Sequence, residues 1–231
     1  MREFALLLWP SSLQKLSNMM NFSLSYLNLL KTRFAGLNLT RILDDQEFYE
    51  KQILDSILPY EQSPEFKAEL DKKGLMVDIG FGGGFPLLPM AHHCPKHRFI
   101  GFESRGKKVD AVNVIAEELK IKNAKAYHHR AEEVLIDRPC IITFKAVGTV
   151  MDFLPSLQVA AKDVTVFFYK GPSYMEKEQP EFEKKLSKEW ELKYNVLLSI
   201  PGTDERRLIG FKPRNVPRGT AKYLVKLSDY L

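Results

Sequence analysis

This chain is poor in cysteine and has no long apolar run. Cys94 and Cys140 are its only thiols in 231 residues, too few for a disulfide framework. No apolar stretch approaches the roughly 20 residues that span a bilayer. Phe4 to Trp9 is apolar but short, follows Glu3 and lacks a small-residue cleavage site, so it reads as a packing segment and not as a signal peptide. A cytoplasmic location is the expectation. His92-His93-Cys94 with His97 matches no standard zinc spacing, so no metal is expected. Acid is missing from residues 206–226, which carry seven cations: Arg206, Arg207, Lys212, Arg214, Arg218, Lys222 and Lys226. A polyanion such as nucleic acid suits that stretch, although a solvated basic tail looks the same in sequence.

What is present is globular. With 45% apolar and 27% charged residues, the bulk of the chain has enough apolar matter to fold, and its length fits one ordinary domain. The most informative stretch is Val77-Asp78-Ile79-Gly80-Phe81-Gly82-Gly83-Gly84. An apolar run ends in an acid and then in glycines at alternating positions, which reads as a buried strand entering a tight loop and a helix. Pro86 is tolerated in the first turn of that helix. A dinucleotide loop of the G-x-G-x-x-G kind fails, because the sixth position from Gly80 is Phe85. A phosphate-gripping loop fails because no Lys-Ser or Lys-Thr follows. A second acid, Glu103, ends the next apolar run about 20 residues on, the distance at which a strand-end carboxylate meets a ribose. An ordinary turn with surface acids is the bland alternative for both features.

Helical spacing predicts a helix over 13–34, stopped near Gly36. A second is predicted over 48–58, opened by Asp44-Asp45 and closed before Pro59. The polar stretch 60–73 reads as a linker. Strands are predicted at 75–80, 98–103, 124–128, 140–145, 164–169, 190–200 and 206–212. They alternate with helices near 86–93, 105–119, 149–161 and 176–188. Alternation means a parallel sheet covered on both faces. The last two strands, joined only by Pro201 to Glu205, pair antiparallel as a hairpin. The expected division is an N-terminal helical extension (1–70), a Rossmann-like α/β domain with a mostly parallel seven-stranded sheet and terminal antiparallel hairpin (71–212), and a basic appendage (213–231).

The pattern acid-x-G-x-G-x-G from Asp78 resembles the first motif of S-adenosylmethionine-dependent methyltransferases, whose cofactor is cationic and carries no phosphate. The longer pattern resembles one family more closely, the bacterial 16S ribosomal RNA guanine-N7 methyltransferases, also called the glucose-inhibited division protein B family. The resemblance runs from about residue 14 to about residue 212. It rests on Asn38-Leu39-Thr40 with Ile53-Leu54-Asp55-Ser56, and on Gly80-Phe-Gly-Gly-Gly-Phe-Pro86. Further matches are Glu103-Ser104-Arg-Gly-Lys107-Lys108, Arg130-Ala131-Glu132-Glu133, Lys170-Gly171 and Asp204-Glu205-Arg206. The chain departs from the pattern at Lys145, where an arginine is usual, at Gln52 for a histidine, at Glu103 for an aspartate and at Phe85 for an aliphatic residue.

The resemblance implies S-adenosylmethionine as cofactor and 16S ribosomal RNA or the small ribosomal subunit as partner, with no membrane or metal, in a monomer. Gly80, Gly82 and Gly84 are then expected to admit the methionine portion, Asp78 to orient the loop or the ammonium group, and Glu103 with Ser104 to meet the ribose. Ala131 and Glu132 border the adenine, with Phe85 packing nearby, and Lys145 lies near the methyl-transfer point. Arg130 and Lys145 are the catalytic candidates, and Lys107, Arg130, Lys170 and Arg206 the RNA contacts. A surface charge or an internal salt bridge is the alternative for each cation. Pro139-Cys140 matches the nucleophile of cytosine-C5 methyltransferases, but it begins a strand and so lies at the end remote from the cofactor. The Pro-Pro-aromatic motif of amino-group methyltransferases is absent after 140–145. A same-fold enzyme with another RNA or small-molecule target, or a non-catalytic cofactor- and RNA-binding protein, remains open.

Overall fold

A computed structural model describes residues 13–199, 205–215 and 225–231. The apolar Phe4–Trp9 segment, the turn at 201–204 and tail cations Arg218 and Lys222 lie outside the described residues. The described residues begin with α1 (Leu13–Thr32), α2 (Asp45–Phe48), a π-helical stretch (Tyr49–Leu54), α3 (Asp55–Gln62) and α4 (Pro64–Lys73). Then follow β1 (Leu75–Ile79), α5 (Leu87–His93), β2 (Arg98–Glu103), α6 (Gly106–Glu118), β3 (Ala124–His128), β4 (Val134–Ile136) and β5 (Cys140–Lys145). The rest comprises α7 (Val150–Phe153), β6 (Gln158–Val159), β7 (Val164–Lys170), α8 (Tyr174–Lys177), α9 (Gln179–Lys185), β8 (Trp190–Leu198), β9 (Arg206–Pro213) and β10 (Val225–Lys226).

The seven-stranded sheet runs β3-β2-β1-β5-β7-β9-β8. Pairing is parallel from β3 to β7, and β9 is antiparallel to both β7 and β8. The predicted α/β architecture with its terminal hairpin is therefore observed. Central strands such as β1 and β7 are buried along nearly their whole length, as in a sheet covered on both faces. Strand periodicity divides β1 cleanly: Met76 joins one core, while Leu75, Val77 and Ile79 join the other. The first core contains Tyr26, Phe48, Ile57 and Phe66. The N-terminal helices are thus not an extension beside the domain but the cover of one sheet face.

Several boundaries differ from the sequence reading. The 60–73 stretch is no linker: α4 is capped by Ser63, whose Oγ accepts from Phe66 N at 3.1 Å, begins with Pro64, and ends at Gly74 in the left-handed region. Its apolar stripe is short, and Glu69 is buried with it, held by Lys73, Lys212, Thr165 and Tyr194. Pro59 does not end the second helix. As the fifth residue of α3 it removes only the N–H that would have bonded the Asp55 carbonyl. The helix predicted over 149–161 stops after one turn, where Pro155 enters a 3-10 turn (Leu154–Ser156), and β6 follows. The helix near 176–188 divides into α8 and α9.

A second, three-stranded parallel sheet, β10-β4-β6, was not foreseen. Its strands are two or three residues long, too short for periodicity to show. It also corrects the reading of residues beyond 213 as an appendage. Val225 pairs with Val134, Leu227 is fully buried, and Ser228 binds Asp137 through N and Oγ at 2.9 and 2.6 Å. Leu227→Ala should therefore destabilise the whole domain by about 2–5 kcal/mol, lowering its thermal midpoint by roughly 5–15 °C. An unchanged midpoint in calorimetry would show the C-terminal segment to be only loosely attached.

Candidate active site

The parallel strands place their carboxyl ends, and β9 its amino end, along one edge of the sheet. Ile79 lies opposite Phe102, Lys145 opposite Tyr169, and Lys170 opposite Arg207. Asp78, Glu103 and Lys145 therefore reach the same rim from β1, β2 and β5.

Asp78 is fully buried. Its Oδ2 accepts from Leu87 N, the first residue of α5, at 3.0 Å, and its Oδ1 accepts from Thr143 Oγ1 in β5 at 3.0 Å. Of the two roles expected for Asp78, the geometry assigns the first: it ties strand, loop and helix together, and its oxygens point inward. Burial pushes its carboxyl up to about 7, against the Thr143 hydroxyl, the Leu87 N–H and the Lys145 charge, which all favour ionisation. Thr143 carried no signal in the sequence, because a threonine in a buried strand is unremarked until its partner is known.

The glycines divide by what a side chain would meet. Gly80, Gly82 and Gly84 all have positive φ (73°, 56° and 92°). A Cβ at Gly80 would stand 2.6 Å from Val147 Cγ1, in the loop after β5. At Gly83 it would strike the Leu39 carbonyl, and at Gly84 the Tyr26 hydroxyl. Tyr26 Oη also donates to Gly83 O at 2.6 Å. A side chain at Gly84 is thus excluded by the N-terminal helices, as one at Gly80 is by Val147. At Gly82 the nearest atoms to a Cβ would be Lys108 Nζ at 3.9 Å and Gly80 O at 4.0 Å, so open space faces it.

Glu103 closes the other side of that space. It is 8% exposed, and its Oε2 accepts from Gly82 N at 3.2 Å. Its Oε1 accepts from Arg105 N at 3.1 Å and from Ser104 Oγ at 3.2 Å. A strand-end carboxylate beside an uncovered glycine backbone is a cradle that fits S-adenosylmethionine: acceptors for ribose hydroxyls, a buried acid behind, and no phosphate grip. Ala131 and Glu132 follow the carboxyl end of β3 in a 3-10 turn, Ala131 buried and Glu132 exposed.

Other expected residues are placed differently. The Phe85 ring lies 5.1 Å from Tyr26 and 5.6 Å from Phe48, inside the aromatic cluster of the N-terminal helices, so it is not free to pack on an adenine. Lys170 is no RNA contact: its side chain is 9% exposed, and Nζ is bound to Glu178 at 2.8 Å and to the Gly148 carbonyl at 2.8 Å. It anchors the loop that carries Val147 against Gly80. Lys107 is exposed, and the cation beside the loop is its neighbour Lys108. Arg130 is 66% exposed, with Glu132 3.9 Å away. Lys145 and Arg206 are brought together by one residue that the sequence reading placed only in a motif, Asp55. Cys140 sits at the opposite edge, buried, with burial pushing its thiol up to about 12, so no thiolate nucleophile arises there. Among the described residues no group of three or more His, Cys, Asp or Glu is placed to hold a metal ion.

The Asp78 shift makes a signed prediction. Folded protein keeps a proton that the unfolded chain releases from about pH 4 upward. This stabilisation is full below that pH and is lost as pH rises through about 7. Asp78→Asn removes the titration while keeping an acceptor for Leu87 N. Its thermal midpoint, relative to wild type, should rise by several degrees between pH 5 and pH 8. The same difference at both pH values would contradict a carboxyl that titrates in the folded core.

Comparison with known proteins agrees with this geometry. The family model described as rRNA small subunit methyltransferase G matches residues 19–209. A protein of that name from Petrotoga mobilis is 31% identical over 195 residues, covering 79% of this chain and 84% of its own. Another, from Marinobacter nauticus, is 30% identical over 216 residues, covering 87% and 94%. Among solved structures, an rRNA methylase from Streptococcus thermophilus is a distant likeness, with TM-score 0.43, 15% identity and coverage of 68% and 97%. The chain belongs to the rRNA small subunit methyltransferase G family and is an S-adenosylmethionine-dependent ribosomal RNA methyltransferase.

Proposed function

We propose that the methyl acceptor is N7 of a guanine in 16S ribosomal RNA, and that the enzyme works as a cytoplasmic monomer. The observation that carries the reading is the open space facing Gly82 beside the strand-end carboxylate of Glu103. Guanine N7 has an exposed in-plane lone pair and no proton to lose, so attack needs neither a base nor a covalent intermediate. The requirement is to hold N7 in line with the methyl at about 3 Å and to exclude water. Catalysis is then positioning plus electrostatics.

S-adenosylmethionine supplies the methyl group on a sulfonium. In this reading Glu103 accepts the ribose hydroxyls, Gly80 and Gly82 admit the methionine portion, and Ser104, Ala131 and Glu132 border the nucleoside. Asp78 keeps the loop in place from behind. Lys145, at the end of β5, stands on the rim where the base enters, and the exposed Arg130 and Lys107 meet RNA phosphates with Arg206. The N7 position is consistent with membership of the rRNA small subunit methyltransferase G family.

The test is mass-spectrometric mapping of modified guanines in 16S ribosomal RNA with and without the gene. One 7-methylguanosine should vanish on deletion and return with the wild-type gene. It should not return with Gly82→Asp, which puts a second carboxylate beside Glu103, meets no close protein atom, and strains the left-handed backbone there by about 1–2 kcal/mol. That variant should fold within a few degrees of wild type and bind the cofactor at least 100-fold more weakly. An unchanged guanine profile, with cofactor binding intact, would move the acceptor to another substrate.

A further inference from the structure

Asp55 opens α3 directly after the π-helical stretch Tyr49–Leu54. Such stretches are rare and occur frequently at functional sites, where the widened turn re-aims the side chains around it. Here the carboxylate is 7% exposed and lies between two cations. Its Oδ2 is 3.0 Å from Lys145 Nζ, and its Oδ1 is 3.2 Å from Arg206 Nε. Lys145 ends β5 and Arg206 begins β9, the two strands on either side of β7. One carboxylate from the N-terminal helices therefore holds side chains from two strands across a third. Tyr169, at the same level of β7, donates its hydroxyl to the Ser56 carbonyl at 3.0 Å and fixes the start of α3 on the rim.

The two cations are held differently. Lys145 is 9% exposed in its side chain, and its remaining partners, the Lys51 carbonyl and Gln52 Oε1, each lie at 3.4 Å. Arg206 is 31% exposed and, among the described residues, gives only Nε to Asp55. Its Nη1 lies 4.0 Å from where a Cβ of Gly171 would stand, so the guanidinium end runs along bare backbone at the mouth of the site. A guanidinium fixed through Nε keeps both amino groups in one plane, a fork that matches a phosphate.

We propose that Asp55 is a positioning residue for the RNA side of the reaction: it fixes Arg206 so that its amino groups bind the backbone phosphate of the strand carrying the target guanine, and it keeps Lys145 at the end of β5. The proposal rests on the RNA methyl-transfer reading above. It makes a prediction of unusual sign. By charge alone, removing a carboxylate beside two cations strengthens attraction to RNA. If Asp55 positions Arg206, its removal weakens RNA binding instead.

The experiment measures affinity of the full-length chain for 16S ribosomal RNA from cells lacking the gene, by filter binding across a range of salt. Cofactor affinity is measured by calorimetry and turnover on the same RNA in parallel. Asp55→Asn should weaken RNA binding about tenfold or more and reduce the slope of log affinity against log salt by about one, the signature of one lost phosphate contact. Cofactor affinity should stay within a few-fold of wild type. Arg206→Gln should lose the same slope, and adding Asp55→Asn to it should lose no more. Asp55→Glu should recover part of the RNA affinity. Tighter or unchanged RNA binding by Asp55→Asn, or a loss of cofactor affinity in step with turnover, would overturn the proposal. If Asp55→Asn fails to fold, because it leaves the Lys145 ammonium buried and unpaired, Asp55→Asn/Lys145→Met removes that charge. RNA binding by the folded double variant weaker than by Lys145→Met alone upholds the proposal, and binding equal to that of Lys145→Met overturns it. A wild type that methylates no ribosomal RNA would instead overturn the reaction, and the proposal with it.

Discussion

A single buried carboxylate organises the cofactor edge of this enzyme. Asp78 leaves β1 fully enclosed, yet it accepts from the first N–H of α5 on one oxygen and from Thr143 of β5 on the other. Burying a carboxylate is costly unless its oxygens are bonded, and here both are, by groups from two other elements. The arrangement leaves little freedom to the loop between β1 and α5. Glu103 then takes the Gly82 N–H from the neighbouring strand, and Val147 packs on Gly80 from the other side. The loop is pre-formed by its surroundings before any ligand enters.

The N-terminal helices complete that constraint. Their backbone and side chains touch the loop where it has least room, with Leu39 against Gly83 and Tyr26 against Gly84. Phe85 is locked between Tyr26 and Phe48 on the same side. Asp55 extends the contact across the rim to β5 and β9. Cofactor loop and RNA rim are thus built against one helical layer. This explains why a segment distant in sequence from the glycine loop carries motifs as specific as the loop itself. The loop after β5 has its own anchor, the buried Lys170–Glu178 pair, with Glu178 also accepting from Val150 N at 2.8 Å.

Much of this was legible in the residues. Strand–helix alternation and the short final connection identify the sheet and its hairpin, because a parallel crossover needs many residues and a hairpin few. Asp78, Gly82 and Glu103 stood out by type and spacing. The failures share a cause. The α4 helix has its Ser63 cap, Pro64 and Gly74 in plain sight, but its stripe is short and its charged residues hide it. Lys170 and Phe85 were assigned outward roles, because a lysine after a strand and a phenylalanine after a glycine loop look the same in sequence whether they face a ligand or a neighbour. β4, β6 and β10 are visible only through their pairing.

The sequence by itself determined the periodicities, the strand order's general type, the glycine loop with its two acids and the family to which they point. These depend on neighbours along the chain, where spacing alone sets geometry. Only the tertiary structure decided which glycine faces open space, which way each oxygen of Asp78 points, and that Asp55 meets Arg206 across 151 positions of sequence with Lys145 on its other oxygen. Those facts depend on contacts between residues brought together by packing. A side chain's partner there is chosen by the burial of charge and apolar surface, not by its place in the chain.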